Sequence, residues 1–301
     1  MTGNHVPQFR AHYLWVDAIV RGPAIPELGV VEHRIASPWP AGYDVGVRIE
    51  RNRSTFGLWD ASIESTIDGS SDTLTGLDAL HLAENVYRSV HRDVMKAAHG
   101  EKWTRLHAAL VDCDGVRVAI AGHSGAGKTT LALALALRGA QLRADEGVFI
   151  RGTESVGLPR RVHLKAGTFD VLPEVKAHDS LYLPYAPPVW ALDPSTLSIP
   201  PDADSAVRGI DLVLILDGWD EGTTRIAPMP AAQAIQSLAE QSALWSDNHG
   251  LTLRNTAALL SNAPCYRMIR HHGDEKLVKP ILDKLEKAVG AKVEVRYGDS
   301  A

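Results

Sequence analysis

The chain has 301 residues, of which 45% are hydrophobic and 22% are charged, and its formal net charge is −5. This composition is typical of a globular protein with one or two domains, and the lack of an overall basic charge disfavours a nucleic-acid partner. The sequence begins without a signal-peptide pattern and has no apolar run of the roughly 20 residues that cross a bilayer. We therefore expect a cytoplasmic protein with no membrane partner. The two cysteines, Cys113 and Cys265, lie too far apart to indicate a disulfide framework or a zinc site.

The first part of the chain, residues 1–100, is expected to form a smaller, β-rich α+β region. Its short alternating runs, such as residues 43–49, are broken by glycine and proline and predict strands. A pattern of apolar residues at three- and four-residue spacing begins near residues 70–72 and predicts a helix that stops at Gly100. Residues 101–301 are expected to form the second domain.

A hairpin and a glycine-rich loop open this second domain. Residues 106–111 and 116–121 predict two strands, and the Asp-Gly dipeptide at 114–115 supports a tight turn between them. The second strand runs directly into a glycine-rich loop at residues 122–129. Residues 129–138 then predict a helix that is apolar on nearly all sides and therefore buried on several faces.

Further elements are predicted after this helix from apolar periodicity and from turn residues. They are short strands at 141–144 and 147–150 on either side of Asp145-Glu146, a loop at 184–204, a buried strand at 212–216 followed by a turn at Asp217-Gly218, a helix at 231–245, a helix at 277–289 and a final strand at 292–297.

The glycine-rich loop matches the pattern G-x-x-x-x-G-K-[ST], which is specific when it lies between a strand and a helix. In this motif, called the P-loop, backbone N–H groups turn toward phosphate oxygens and the following helix N-terminus adds a partial positive charge. Lys128 is expected to reach the β- and γ-phosphates, and the Thr129 hydroxyl is expected to ligate magnesium. The motif therefore predicts binding of ATP with Mg²⁺. The residues expected to contact the nucleotide are Gly122, Ser124, Gly125, Ala126, Gly127, Lys128, Thr129 and Thr130.

The order of motifs around the loop resembles that of bacterial HPr kinase/phosphorylase and the wider set of HPr kinase-like proteins. In that family a histidine precedes the P-loop by a strand-turn-strand unit, and a strand after the loop helix ends in an Asp-Asp pair. The corresponding places here hold His107 and Asp145-Glu146, within residues 103–151. The resemblance implies an α/β fold in which the P-loop lies in a mixed sheet related to ATP-dependent phosphoenolpyruvate carboxykinase.

The same resemblance implies phosphoryl transfer from ATP to a serine hydroxyl. Carried over by position, Asp145 is the general base, Glu146 helps to hold the metal or orients Asp145, and His107 lies near the transferring phosphoryl group and tunes Asp145. Elementary chemistry agrees, because a serine hydroxyl is a poor nucleophile that an adjacent carboxylate activates by accepting its proton.

Departures from the family pattern bear on the acceptor. Thr129-Thr130 stand where the family usually has Ser-Glu, Glu146 replaces the second aspartate, and the later segment tied to carrier-protein docking and dephosphorylation is not found. We therefore expect a peptide or protein serine as acceptor, as for the kinases that modify lasso precursor peptides, rather than HPr itself. The family forms hexamers, so a homo-oligomer is a further expectation.

Two other functions are open on the sequence. A kinase of a free small-molecule hydroxyl would use the same residues. A P-loop ATPase or switch would instead use Asp217, at the end of an apolar strand, as its metal-binding acid. Arg208, which precedes that strand, is a candidate to stabilise transition-state charge as an arginine finger does, the alternative being a solvated surface residue.

Several basic residues are weaker candidates. Lys165 and His163 alternate on a short predicted strand, so that both could contact substrate or phosphate from one side. A basic cluster near the C-terminus could receive an acidic peptide or simply form a solvated face; it consists of Arg267, Arg270, His271 and His272.

Overall fold

The computed structural model shows a mixed α/β protein. It describes residues 8–13, 16–21, 46–53, 59–65, 71–76, 79–113, 115–158, 161–178, 180–183, 187–192, 196–197, 207–220, 224–243 and 248–271. The helix predicted at 277–289 and the strand predicted at 292–297 lie outside the described residues, as do Asp114 and His272. Within the described ranges, no helix is both long enough and apolar enough to cross a membrane.

The chain divides into two compact units. The first combines Met1–Lys102, Pro159–Leu164 and Asp179–Asp193, and the second combines Trp103–Leu158, Lys165–His178 and Pro194–Ala301. Two short segments beyond residue 101 thus belong to the first unit, which the expected division at that residue did not include.

The first unit begins with a five-stranded sheet followed by a long helix. The strands lie in chain order, and all neighbours are antiparallel except the second and third. The elements are β1 (Gln8–Tyr13), β2 (Val16–Arg21), β3 (Gly46–Arg53), β4 (Trp59–Ser65), β5 (Ser71–Gly76) and α1 (Ala79–Gly100).

This region confirms the predicted strands and the helix stop at Gly100, but it corrects where the helix begins. Of the residues expected to open the helix, Ser71 and Asp72 begin β5 and Ser70 lies outside the described residues, while α1 starts at Ala79. Thr73 and Thr75 are β-branched and favour a strand, and pairing with β4 gives the backbone its hydrogen bonds.

The remaining elements run in chain order from residue 104 to residue 271. They are β6 (Thr104–Leu106), β7 (Ala108–Cys113), β8 (Val116–Gly122), α2 (Lys128–Ala136), β9 (Gln141–Ala144), β10 (Val148–Arg151), β11 (Glu154–Gly157), β12 (Val162–Leu164), α3 (Ala166–Val171), a 3₁₀ helix (Pro173–Ala177), β13 (Ser180–Leu183), β14 (Val189–Leu192), β15 (Arg208–Gly209), β16 (Leu212–Asp220), β17 (Arg225–Pro228), α4 (Ala231–Ala243), α5 (His249–Asn262) and β18 (Cys265–His271).

These strands form three more sheets. The first unit holds an antiparallel sheet in the order β12-β14-β13. The second unit holds a four-stranded sheet, β15-β11-β10-β6, and a six-stranded mixed sheet, β17-β18-β16-β8-β7-β9. The loop predicted at 184–204 is therefore wrong at β14, where valine, tryptophan and leucine suit a strand that pairs on both sides.

The central strands of the six-stranded sheet are buried on both faces, whereas the edge strand β17 is largely exposed. One face, which we call the α4 face, includes Leu110, Ala121 and Ile215 and packs with residues of α4 and α5. The alternate residues form the opposite face, which we call the α2 face, since α2 packs on β7, β8 and β9. The strand predicted at 212–216 continues as β16 to Asp220. Gly218 absorbs an irregularity within it at a φ of 86° rather than ending it.

Candidate phosphate-binding site

Several strand ends meet at one edge of the six-stranded sheet. β8 ends at Gly122, which pairs with Leu216 in the parallel strand β16, so Asp217 lies at the same edge. On the other side of β8, His107 immediately precedes the antiparallel neighbour β7, and Asp145 immediately follows β9, which pairs antiparallel with β7. The sheet thus brings the glycine-rich loop together with the predicted acid and histidine.

Three glycines shape the loop between β8 and α2. Gly122, Gly125 and Gly127 have φ angles of 146°, 79° and 82°, which side chains other than hydrogen rarely allow. A Cβ on Gly122 would also lie 2.7 Å from the Leu216 carbonyl oxygen. The loop curls tightly and leaves Ser124 exposed, which suits a cradle of N–H groups around an anion.

Lys128, the first residue of α2, is buried at 5% exposure. Its Nζ donates to the carbonyl oxygens of Gly122 at 2.8 Å and His123 at 3.1 Å. These neutral acceptors hold a cation inside the loop. A phosphate oxygen is a stronger acceptor for a charged donor than a neutral carbonyl oxygen is. The residues present therefore fit the triphosphate chain of a nucleoside triphosphate.

The electrostatics identify which charged groups surround Lys128. Burial lowers the pKa of Lys128 from its ordinary value of 10.5, while the carboxylates of Asp145 and Glu146 act to raise it and the positive charge of Lys165 acts to lower it. Lys165 is exposed and follows β12 rather than lying within it. The charges of Asp145, Glu146 and Lys165 therefore all act on Lys128.

Asp145 joins the loop directly through Thr129. The Thr129 hydroxyl donates to Asp145 Oδ1 at 2.8 Å, and Asp145 is only 2% exposed. Glu146 follows in a left-handed conformation with φ of 59°, and its carbonyl oxygen accepts from Arg105 Nη2 at 2.9 Å. The predicted magnesium ligand and the predicted base are therefore neighbours.

The oxygen atoms around Thr129 suit a magnesium ion that is shared with phosphate oxygens rather than an ion held by protein side chains alone. Among the described residues, no cluster of three or more His, Cys, Asp or Glu side chains is placed to hold an ion. Mg²⁺ usually takes one or two carboxylates together with phosphate oxygens and waters. The hard oxygens of Thr129 and Asp145, beside Glu146, fit that pattern.

Asp217 lies on the other face of the sheet from this pair. Side chains alternate along β16, so Asp217 points to the same face as Ile215, the α4 face. Its carboxylate forms an ion pair with Arg267 Nη2. Asp145, rather than Asp217, occupies the position beside Thr129.

The structure corrects the expectation for Arg208. Its Nη2 donates to the Gly115 carbonyl and to Asp211 Oδ2, the latter at 2.8 Å. Gly115 directly precedes β8, whose other end is Gly122, and at about 3.3 Å per residue this strand separates the two ends by about 20 Å. Arg208 therefore sits at the end of the sheet opposite the loop.

Two residues that hold the loop were not identified from sequence as doing so. Gln241 in α4 accepts the Gly122 N–H through Oε1 at 2.8 Å. Arg270 in β18 donates through Nη2 to the Ala126 carbonyl, and its Nη1 would lie 2.5 Å from a Cβ on Gly127. The solvated-face interpretation is wrong for Arg270, which is 7% exposed. For Arg270, the available sequence signal was its position two residues after the buried Met268, which puts both side chains on one face of β18. No comparable signal was available for Gln241.

The remaining candidates have separate locations. Thr130 is half-buried in the first turn of α2. His163 belongs to β12 in the first unit, whereas Lys165 belongs to the second. His271 ends β18.

Together, a strand, a glycine loop and a helix beginning with Lys128 and Thr129 define a P-loop protein of mixed α/β class. No family model matches the chain. It is 34% identical over 119 residues to the HPr kinase/phosphorylase of Clostridium acetobutylicum, covering 40% of this chain and 34% of that protein. It is 40% identical over 68 residues to the HPr kinase/phosphorylase of Clostridium tetani, covering 23% and 22%.

Over these segments the chain is similar to HPr kinase/phosphorylases, and it spans about a third or less of the length of these curated relatives. Among solved structures, the HPr(Ser) kinase/phosphatase from Coxiella burnetii aligns with 65% of this chain and 99% of that chain, at 11% identity and a TM-score of 0.31. A TM-score this low adds nothing to the fold argument.

Proposed function

We propose that this chain is an ATP-dependent kinase that transfers the γ-phosphoryl group to a serine hydroxyl of a peptide or protein. The observation that carries the proposal is the 2.8 Å hydrogen bond from Thr129 to Asp145. It sets a buried carboxylate beside the residue with which P-loop proteins bind magnesium. The curated relatives are named HPr kinase/phosphorylase, which supports the same reaction.

The proposed reaction is a single displacement at the γ-phosphorus. The acceptor hydroxyl oxygen forms a bond to phosphorus while its proton passes to Asp145. The bond from phosphorus to the β–γ bridging oxygen breaks, and ADP leaves with the electron pair. Lys128 and the loop N–H groups hold the phosphates and balance their charge. Mg²⁺, held through Thr129 and Glu146, would neutralise further phosphate charge.

Other groups at the edge have supporting roles in this proposal. We propose that His107, which directly precedes Ala108 and so lies near the Gly122 end of β8, tunes the protonation of Asp145. Arg208 has no part, because it lies at the far end of β8. We also propose that the protein forms a homo-oligomer. Light scattering on the purified protein measures its oligomeric state.

The acceptor we propose is a precursor peptide with a C-terminal serine, of the lasso type, rather than HPr. Thr130 and Glu146, which depart from the family pattern, support this choice. The experiment incubates the protein with labelled ATP and Mg²⁺ and four acceptors: HPr, a precursor peptide ending in serine, the same peptide ending in alanine, and a small metabolite with a free hydroxyl. Label on the serine peptide alone is expected. Label on HPr alone would overturn the peptide acceptor, and label on a free hydroxyl metabolite would favour a small-molecule kinase.

Substitution separates the kinase from an ATPase or switch. Asp145→Asn keeps the side-chain size and removes the proton acceptor, so phosphotransfer should fall by roughly 10²–10⁴-fold, the usual contribution of a general base. Asp217→Asn is the matched control, because Asp217 pairs with Arg267 on the other face. Its turnover should stay within about twofold. The reverse result, or rapid ATP hydrolysis with no phosphorylated acceptor, would favour the switch.

A further inference from the structure

A single extra residue interrupts the pairing of β9 with β7. Leu142 lies opposite Val111 and Ala144 lies opposite Leu110, so Arg143 between them has no partner position of its own. This two-against-one arrangement is a β-bulge. Bulges change the direction in which the following side chains point.

The bulge decides which face of the sheet Asp145 presents. Directly opposed residues share a face, and Leu110 and Ala144 both lie in the buried cluster of the α4 face. The next side chain, Asp145, therefore points to the α2 face, where it meets Thr129. In a regular strand Arg143 would oppose Leu110, and Asp145 would point to the α4 face, away from the loop.

An ion pair holds the extra residue in place. Arg143 is 6% exposed, and its Nε donates to Asp112 Oδ2 at 2.7 Å. Asp112 is itself fixed by Arg117, whose Nε and Nη2 donate to it at 2.9 Å and 3.1 Å. Burial raises the pKa of Asp112, but the hydrogen bonds and charges of the two arginines outweigh this and hold the pKa below its ordinary value of 3.8. The carboxylate that anchors the bulge therefore stays charged at neutral pH.

The backbone around the bulge is also shaped to receive it. Gly157 in β11 packs so closely that a Cβ there would lie 2.9 Å from the carbonyl carbon of Arg143 and from the Cβ of Ala144. On the other side of Asp145, Arg105 holds the carbonyl of Glu146. The segment that carries the acid is thus restrained before and after it.

We propose that Arg143 is a positioning residue: its bulge, locked by Asp112 and accommodated by Gly157, turns the Asp145 carboxylate to the phosphate loop. The inference rests on the proposed function in one respect, that Asp145 is the base. Arg143 contacts no reacting atom and acts only through the register of β9.

The test compares Arg143→Met with deletion of Arg143 and with Asp145→Asn. Arg143→Met keeps a long side chain but loses the ion pair that holds the bulge. We expect kcat to fall by at least about tenfold, because a misplacement of about 1 Å can cost roughly a hundredfold. KM for ATP should stay within about twofold, since the loop and Lys128 are unchanged. Deletion of Arg143 leaves Ala144 opposite Leu110 in regular pairing, so it should recover most of the lost kcat.

Each outcome decides between positioning and a merely structural role. A folded Arg143→Met protein with wild-type kcat, or a deletion variant no better than Arg143→Met, overturns the proposal. Should Arg143→Met not fold, Gly157→Ala serves in its place, with the same expected split between kcat and KM. If Asp145→Asn retains full activity, the proposed function fails instead. A crystal structure of the variant reads the register independently of activity, and an intact Thr129–Asp145 contact there would overturn the proposal.

Discussion

The two ends of the β7–β8 hairpin both gather charged groups, but they use them differently. At the turn end, Arg117 is fully buried and binds Asp112, while Arg208 binds Asp211. At the loop end, Lys128 donates to two backbone carbonyls and lies near the carboxylates of Asp145 and Glu146. Charges that are matched by opposite charges of the protein stabilise the fold. A buried cation whose hydrogen bonds go to neutral carbonyls beside a glycine loop is ready to exchange them for phosphate.

The comparison predicts its largest loss of stability at the turn end. Asp112→Asn leaves Arg117 and Arg143 as buried charges without their carboxylate, so the free energy of unfolding should fall by about 3–5 kcal/mol. Urea denaturation measures this change. Glu154→Gln, which removes the exposed ion pair with Arg151, is the control and should cost less than about 1 kcal/mol. Equal losses in the two variants would contradict a special role for the buried pair.

The same site predicts how stability depends on pH. The pKa of Asp112 is lower in the folded protein than its ordinary value of 3.8, so the folded state favours the carboxylate. Its contribution is fully present above pH 3.8 and is lost as pH falls through the lowered folded pKa. The difference in unfolding free energy between wild type and Asp112→Asn, measured from neutral pH downward, should therefore shrink in acid. A difference that grows in acid would contradict this linkage.

At the loop end the expected loss is of activity. Lys128→Met removes a buried donor aimed at the phosphates, and phosphotransfer should fall by roughly 10²–10³-fold, as for other preorganised donors. Isothermal titration with an ATP analogue should show weakened binding. Lys176→Met is the control, because Lys176 is exposed and lies over the Phe169 ring at 5.9 Å from its centroid. Unchanged nucleotide affinity in Lys128→Met would contradict the proposal that Lys128 binds the phosphates at the loop end.

The smallest effect is expected for Arg208→Met. Its side chain is 39% exposed, and its partner Asp211, which is 10% exposed, also accepts from the Arg117 N–H. Turnover should remain within about twofold, because Arg208 lies at the turn end. Steady-state kinetics check this expectation, and a loss of turnover of tenfold or more would indicate that Arg208 acts at the reacting centre.

Local patterns were sufficient for much of the site. The spacing of Gly122, Gly127 and Lys128 between a strand and a helix predicted the loop, and both neighbouring elements are confirmed. Asp145 was singled out by the resemblance to HPr kinase-like proteins, in which an acidic pair ends the strand after the loop helix, and that strand is confirmed as β9. Neighbouring residues set φ angles, turns and periodicity, so these features are written in short stretches of sequence.

Contacts between distant segments were beyond such patterns. Gln241 lies 119 residues from Gly122 along the chain, and Arg270 lies 144 residues from Ala126. Arg208 and Asp217 both flank a strand beside β8, yet strand direction placed one at the turn end and alternation placed the other on the α4 face. No local signal reports which strands become neighbours.

The sequence by itself determined that a phosphate loop follows a hairpin and that an acid follows the next strand, because both depend on residues within a few positions of one another. Only the tertiary structure decided that Asp145 and Thr129 meet. That meeting depends on the pairing of β7 with both β8 and β9, and on one unpaired residue, Arg143, in β9. Side chains alternate between faces at every residue, so a shift of one position changes which groups come together.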